Sequence, residues 1–254
     1  MSNSETGLWL RRFSESPAGA PPLICFPHAG GAASSFVSLS RALAPHAEVL
    51  AVQYPGRQDR YRERTVASIS GLADAVVRAL GPDLPAGCAF FGHSMGAAVA
   101  FEVARRYESR PGAKGPVHLY LSACRAPFLR ETDTFRPRED GEILAELRQL
   151  SGTAQAILAD EEVLGMALPA LRADYRAIDA YRAPREARVD CPFTVLVGDA
   201  DPIVPVHDAA AWRAHSRAGT EVTVFEGGHF YLDGHTEALA ALIRARTPAD
   251  RPTA

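Results

Sequence analysis

The chain has 254 residues, 47% of them hydrophobic and 22% charged, with a formal net charge of −3. That length allows one large α/β domain or two small ones, and without a global basic excess a nucleic-acid backbone is a poor partner. No run approaches the roughly 18 consecutive apolar residues that would cross a bilayer, and Met1-Ser2-Asn3-Ser4-Glu5-Thr6-Gly7 lacks the basic-then-apolar design of a signal peptide, so a soluble, cytoplasmic protein is expected.

In chain order, short apolar runs alternate with helix-length amphipathic segments, the pattern of a mainly parallel sheet covered by helices. The pattern predicts strands over Leu8–Phe13, Leu23–Phe26, Val49–Gln53, Cys88–Phe91, Val117–Ser122, Phe193–Val197 and Glu221–Phe225. Helices are expected over Ser34–Leu43, Val66–Leu80, Met95–Tyr107, His207–His215 and His235–Arg246, where crossovers between parallel strands require them. The expectation is one α/β domain over residues 1–254. Residues 125–185 break the rhythm with two helical patterns, Glu139–Leu150 and Glu161–Tyr181, and no convincing strand. Their apolar set, including Ile143, Leu147, Leu150, Ile157, Leu158, Leu171 and Ile178, suits either helices packed onto the sheet or a lid over a substrate channel. Cys25, Cys88, Cys124 and Cys191 are widely spaced and read as buried free thiols.

Ala89-Phe90-Phe91-Gly92-His93-Ser94-Met95-Gly96 is an apolar strand running into a G-x-S-x-G turn and then a helix. A serine hydroxyl is a weak nucleophile, so it must be exposed, rigidly held and beside a base; flanking glycines permit the sharp turn that lifts Ser94 to the sheet edge. The acid and base should follow in that order on loops after later strands. Gly198-Asp199-Ala200-Asp201-Pro202 offers two acids, of which Asp201 is preferred because Pro202 holds its backbone extended, and Gly227-Gly228-His229 offers the base. For the tetrahedral oxyanion, one backbone N–H should come from Met95 and the other from Phe26-Pro27-His28-Ala29-Gly30-Gly31, with Ala29 as the donor. His28 is expected to orient that loop and His93 to pack beside the serine turn. Neither a metal-ligand spacing nor a phosphate or dinucleotide loop is present in the sequence, so no cofactor is expected.

Together, Trp9-Leu10-Arg11-Arg12-Phe13, Cys25–Gly31, Tyr54-Pro55-Gly56-Arg57, Gly92–Gly96, Leu168–Tyr175, Gly198–Pro202 and Gly227-Gly228-His229 resemble the type II thioesterases of polyketide and nonribosomal peptide synthases, which have the α/β-hydrolase fold with a helical lid. The resemblance covers nearly the whole chain. It implies hydrolysis of acyl groups stalled on the phosphopantetheine arm of acyl or peptidyl carrier domains, through an acyl-Ser94 intermediate. Because such carriers are acidic, two arginine sets, Arg57/Arg60/Arg62/Arg64 and Arg125/Arg130/Arg136/Arg138, are candidate docking surfaces. Two other readings stay open: a carboxylesterase or lipase acting on small oxygen esters, and a non-catalytic binding module on the same scaffold.

Overall fold

The computed structural model describes residues 7–130, 135–136, 138–150 and 160–246. Seven strands form one sheet: β1 (Leu10–Arg11), β2 (Pro22–Phe26), β3 (Glu48–Val52), β4 (Ala89–His93), β5 (Leu119–Ser122), β6 (Phe193–Gly198) and β7 (Thr220–Phe225). Their spatial order is β1-β3-β2-β4-β5-β6-β7. All neighbours are parallel except β1, which pairs antiparallel with β3 through Leu10↔Val52 and Arg11↔Ala51. This is the mainly parallel sheet the sequence predicts. The first strand is shorter than expected, while β4 runs on through Gly92↔Leu121 and His93↔Ser122 to deliver the serine turn to the sheet's carboxyl edge.

Strands β2, β4, β5 and β6 are buried along their whole length because helices cover both faces. The two-residue period of a strand divides them between two cores. Ile24, Phe26 and Phe90 face one core, with Val99, Phe101, Phe193 and Trp212; Leu23, Cys25 and Phe91 face the other, with Phe36, Tyr120 and Ile243. Helices α1 (Val37–Leu43) and α7 (Thr236–Arg246) close the second core. Helices α2 (Ile69–Leu80) and α3 (Met95–Glu108) close the first. Helix α2 begins three residues later than the apolar pattern suggests because the Ser68 hydroxyl accepts the Gly71 N–H at 3.1 Å and caps it there. The segment expected as one helix over 207–215 is α6 (Val206–Ala210) followed by a 3₁₀ stretch, Ala211–His215. All four cysteines are free and buried.

Between β5 and β6 lie α4 (Asp140–Gln149) and α5 (Glu161–Ala180). A reciprocal Glu139/Glu142 capping box starts α4, and the Asp160 carboxylate caps α5 by accepting from Glu162 and Val163. Ile143, Leu147, Leu150, Leu171 and Tyr175 join the second core beside Phe230, so both helices rest over the carboxyl ends of the strands. Ile157 and Leu158, expected in the same apolar set, lie outside the described residues. Among the described residues no helix is long and apolar enough to cross a membrane.

Each arginine set is only partly exposed: Arg62, Arg64 and Arg136 face solvent, and others are engaged within the fold. Arg57 is buried in an ion pair with Asp174, and Arg60 is buried under Trp9, 4.5 Å from its ring, while donating to the Gln53 carbonyl at 2.7 Å. In the second set, Arg125 pairs with Asp208 at 2.7 Å, Arg136 with Glu142, and Arg138 with Asp179 and Glu146. The Arg130 side chain lies outside the described residues. Sequence spacing fixes neither side-chain direction nor the carboxylates that meet an arginine across the fold.

Among the described residues, the tightest backbone approach at a glycine is at Gly96, where a Cβ would run into the Phe26 carbonyl. Gly165, exposed within α5, has nothing within 4 Å. Gly96→Ala should therefore lower stability by about 2 kcal/mol or more, whereas Gly165→Ala should raise it by roughly 0.5–1 kcal/mol, both read from urea midpoints.

Candidate active site

The strand order places the site. From β2 the chain goes first to β3 on one side and then to β4 on the other, and at such a switch point the loops leaving adjacent strands part to form a crevice. The loop after β2 carries Ala29, the turn after β4 carries Ser94, and the loops after β6 and β7 carry Asp201 and His229.

Ser94 sits at φ 54°, ψ −121°, a conformation that costs a non-glycine residue energy and is tolerated where the surroundings fix it. The flanking glycines make it possible. A Cβ on Gly92 would meet the Ala97 Cα at 2.5 Å, and one on Gly96 would meet the end of β2. The first residue of α3, Met95, is thereby pressed against the loop bearing Ala29, with its N–H at the helix start, where no residue of the preceding turn can accept it.

His229 Nε2 lies 3.0 Å from Ser94 Oγ, and its Nδ1 lies 2.8 Å from Asp201 Oδ2. The other carboxylate oxygen of Asp201 accepts the N–H groups of Ile203 at 2.8 Å and Val204 at 3.1 Å, so its orientation is fixed from both ends. His229 and Asp201 are both buried. With Asp201 accepting at Nδ1, that nitrogen carries the proton and Nε2 is free to take one from Ser94. Asp199, the rival acid, points elsewhere. Its carboxylate accepts the Gly227 N–H at 2.8 Å, tying the β6 turn to the loop that carries His229.

Two further imidazoles surround the base. His93 packs with its ring tilted 51° to that of His229 at 5.3 Å and shares Nδ1 with Ser122 Oγ at 2.9 Å, which in turn meets Tyr231 OH at 2.7 Å. His28 packs edge-on to Phe230 at 4.8 Å and to His93 at 5.8 Å. Burial first, then the neighbouring His229, holds both below the ordinary imidazole range. They are neutral at neutral pH, so an imidazolium forming on His229 meets no like charge. His93 packs beside the serine turn as expected, while His28, expected to orient its loop, packs against Phe230 and His93.

The oxyanion loop is a tight turn. The Gly31 N–H donates to the His28 carbonyl at 2.9 Å across Ala29 and Gly30, and Gly30 adopts φ 74°, which glycine tolerates. Gly30 N–H donates to Asp174 Oδ2 at 2.8 Å. Among the described residues the Ala29 N–H has no partner, and Ala29, Met95 and Ser94 line one cavity. Leu147, Leu150, Leu171 and Ile178 from residues 125–185 wall that cavity, with Ile203 and Phe230 opposite, and the Arg138–Asp179–Glu146 ion cluster borders it. The set brings together what acyl transfer would require: a hydroxyl beside an imidazole, a carboxylate orienting that imidazole, two amides on one cavity and an apolar wall.

The sequence reading missed the Arg57–Asp174 pair. Arg57 Nη1 and Nη2 reach the two Asp174 oxygens at 2.7 and 3.0 Å. The signal was available only in halves, since Pro55-Gly56-Arg57 and Leu168–Tyr175 stand out as segments but nothing in the sequence joins them.

A family model described as "Thioesterase domain" matches residues 21–247. A probable cadicidin biosynthesis thioesterase of Streptomyces griseus is 46% identical over 243 residues, 96% of this chain and 67% of that one. Thioesterase PikA5 of Streptomyces venezuelae is 47% identical over 232 residues, 91% and 82% of the two chains. Among solved structures, the type II thioesterase BorB from the borrelidin biosynthetic cluster superposes with a TM-score of 0.78 at 40% identity, covering 94% of this chain and 96% of that one.

Because only Asp201 touches His229, Asp201→Asn should slow reaction of Ser94 with a fluorophosphonate by about 10³–10⁴-fold, by leaving the imidazole in the wrong tautomer. Asp199→Asn keeps an oxygen for Gly227 and should change the labelling rate little. Intact-mass time courses read both.

Proposed function

This chain belongs to the thioesterase family and is a thioester hydrolase of α/β-hydrolase fold, and from that premise we propose that it removes acyl groups from the phosphopantetheine arm of polyketide or nonribosomal peptide carrier domains. The observation that carries the reading is the hydrogen-bonded series Ser94–His229–Asp201 opening onto the same cavity as the Ala29 and Met95 amides. The biosynthetic clusters named for its relatives support the carrier-bound substrate.

In this reading Ser94 Oγ attacks the thioester carbonyl as His229 Nε2 takes the hydroxyl proton, and Asp201 steadies the imidazolium. The Ala29 and Met95 N–H groups stabilise the tetrahedral oxyanion. The C–S bond breaks and the pantetheine sulfur leaves, taking the proton from His229; with a thiol pKa of about 8.5 it departs readily, and the imidazole is again a free base. Water, deprotonated by His229, then attacks acyl-Ser94, releasing the free acid and restoring the hydroxyl. No cofactor enters the cycle, since the substrate brings its own phosphopantetheine. Helices α4 and α5 act as a lid that gives the acyl chain an apolar wall and keeps bulk water from the site. The protein acts in the cytoplasm, where such carriers are loaded.

The test is turnover of one acyl group presented on a carrier domain, on coenzyme A and as a p-nitrophenyl ester. The carrier thioester should give the highest kcat/KM, and Ser94→Ala should lose activity on all three by about 10⁴-fold or more. Preference for the oxygen ester would replace this reading with an esterase, and absence of turnover together with absence of a fluorophosphonate adduct on Ser94 would replace it with a binding module.

A further inference from the structure

We propose that Arg57 and Asp174 are positioning residues for the oxyanion amide of Ala29, and that they make this amide depend on the seating of α5. The inference rests on the role given above to Ala29. The turn over His28–Gly31 uses the Gly31 N–H for its own closing bond and leaves its two central N–H groups, Ala29 and Gly30, without an internal acceptor. One of the two is claimed from outside, since Asp174 Oδ2 accepts the Gly30 N–H at 2.8 Å. That bond fixes the plane of the Ala29–Gly30 peptide. The turn's closing bond holds the Gly30–Gly31 peptide, and Arg57 fixes the one after it, Gly31–Ala32, by donating from Nη1 to the Gly31 carbonyl at 3.0 Å. The two side chains then lock to each other through the bidentate pair at 2.7 and 3.0 Å. With the peptides on its carboxyl side held at both N–H and C=O, the turn presents the remaining N–H, that of Ala29, to the cavity containing Ser94.

The clamp is itself supported. The Arg57 carbonyl accepts from Gln53 Nε2 at 3.2 Å, and Gln53 Oε1 accepts the Ala33 N–H at 2.8 Å, which anchors the far side of the same loop to the end of β3. Asp174 is wholly buried, and its carboxylate has a paired guanidinium and a backbone donor as partners. A buried ion pair commonly contributes little net stability compared with apolar residues of the same volume. Apolar residues could not replace this one in holding the turn, because an aliphatic pair offers neither an acceptor to Gly30 nor a donor to Gly31.

Asp174 belongs to α5, and Leu171 of the same helix lies against Gly30 so closely that a Cβ there would strike its side chain. Helix α5 therefore touches the turn twice, once by hydrogen bond and once by packing. When α5 is seated over the acyl cavity, the turn is clamped; when α5 lifts, Gly30 loses its acceptor, Arg57 loses its counter-charge and the Ala29 amide loses its fixed direction. The donor set would then be complete only over an enclosed substrate.

Three variants test this: Asp174→Asn, which keeps an acceptor for Gly30; Arg57→Lys, which keeps the charge but not the fork; and Arg57→Met/Asp174→Leu, which strands neither charge and removes both the acceptor for Gly30 and the donor for Gly31. Active sites are counted by end-point fluorophosphonate titration, so that turnover is expressed per competent site. For the double variant, kcat per site should fall by roughly tenfold to a hundredfold with KM nearly unchanged, the signature of an interaction made in the transition state. Affinity for an acyl trifluoromethyl ketone, which mimics the tetrahedral oxyanion, should fall by a similar factor. Asp174→Asn should lose least. Wild-type turnover per site in the double variant, a loss confined to KM, or a loss of titratable sites in all three variants would make the pair structural only and overturn the inference. Failure of the wild type to label or to turn over would instead strike the assignment of the site itself.

Discussion

A missing side chain sets the geometry of this protein. Gly96 lets the first turn of α3 lie against the carbonyl of Phe26, so that the nucleophile turn leaving β4 and the oxyanion turn leaving β2 meet at van der Waals distance. Everything reactive is arranged from that contact. It places the Met95 and Ala29 amides on the same cavity as Ser94, and it requires Ser94 to hold a backbone conformation, φ 54°, that only a tightly packed turn sustains. Because β2 and β4 are neighbours at the switch in strand order, the two turns leave the sheet from the same edge.

Electrostatics then divides labour among three adjacent imidazoles. Burial keeps His28 and His93 uncharged, whereas His229 alone has a carboxylate, Asp201, on its far nitrogen. A positive charge is thus disfavoured on two of the rings, and only the third has a carboxylate at its Nδ1. The acid that does not touch His229 still acts on it at one remove. Asp199 fastens the β7 loop through Gly227, so the two aspartates of one short turn orient the base directly and through its backbone. A similar arrangement stands on the other side of Ser94, where one buried ion pair, Arg57–Asp174, holds a loop by a single N–H and a single C=O.

Helix α5 connects the cavity beside Ser94 to the Ala29 turn through shared residues. Leu171 walls that cavity and packs on Gly30, and one turn later Asp174 bonds the same glycine. Residues at i and i+3 share a helix face, so a single stripe of α5 serves both purposes.

What the sequence determined is local. Apolar runs bounded by glycine, proline and aspartate disclose β2, β4, β5 and β6, because a strand buried on both faces must be continuously apolar wherever it lies in the sheet, while the partly exposed β1, β3 and β7 show as shorter or alternating apolar runs. The serine turn was legible for the same reason: two glycines around Ser94 are a steric demand of the turn itself. Chain order gave the candidate base at His229 and narrowed the acid to Asp199 or Asp201. Tertiary structure alone decided between those two, since residues two apart on a turn can aim in quite different directions and only the position of His229 tells which one meets it. It also split the arginine sets: Arg57, Arg125 and Arg138 meet carboxylates far along the chain, while Arg62, Arg64 and Arg136 stay exposed. The Arg57–Asp174 pair spans 117 residues, and no periodicity or motif links such partners; their meeting follows from where the sheet puts the end of β3 and how α5 settles over it.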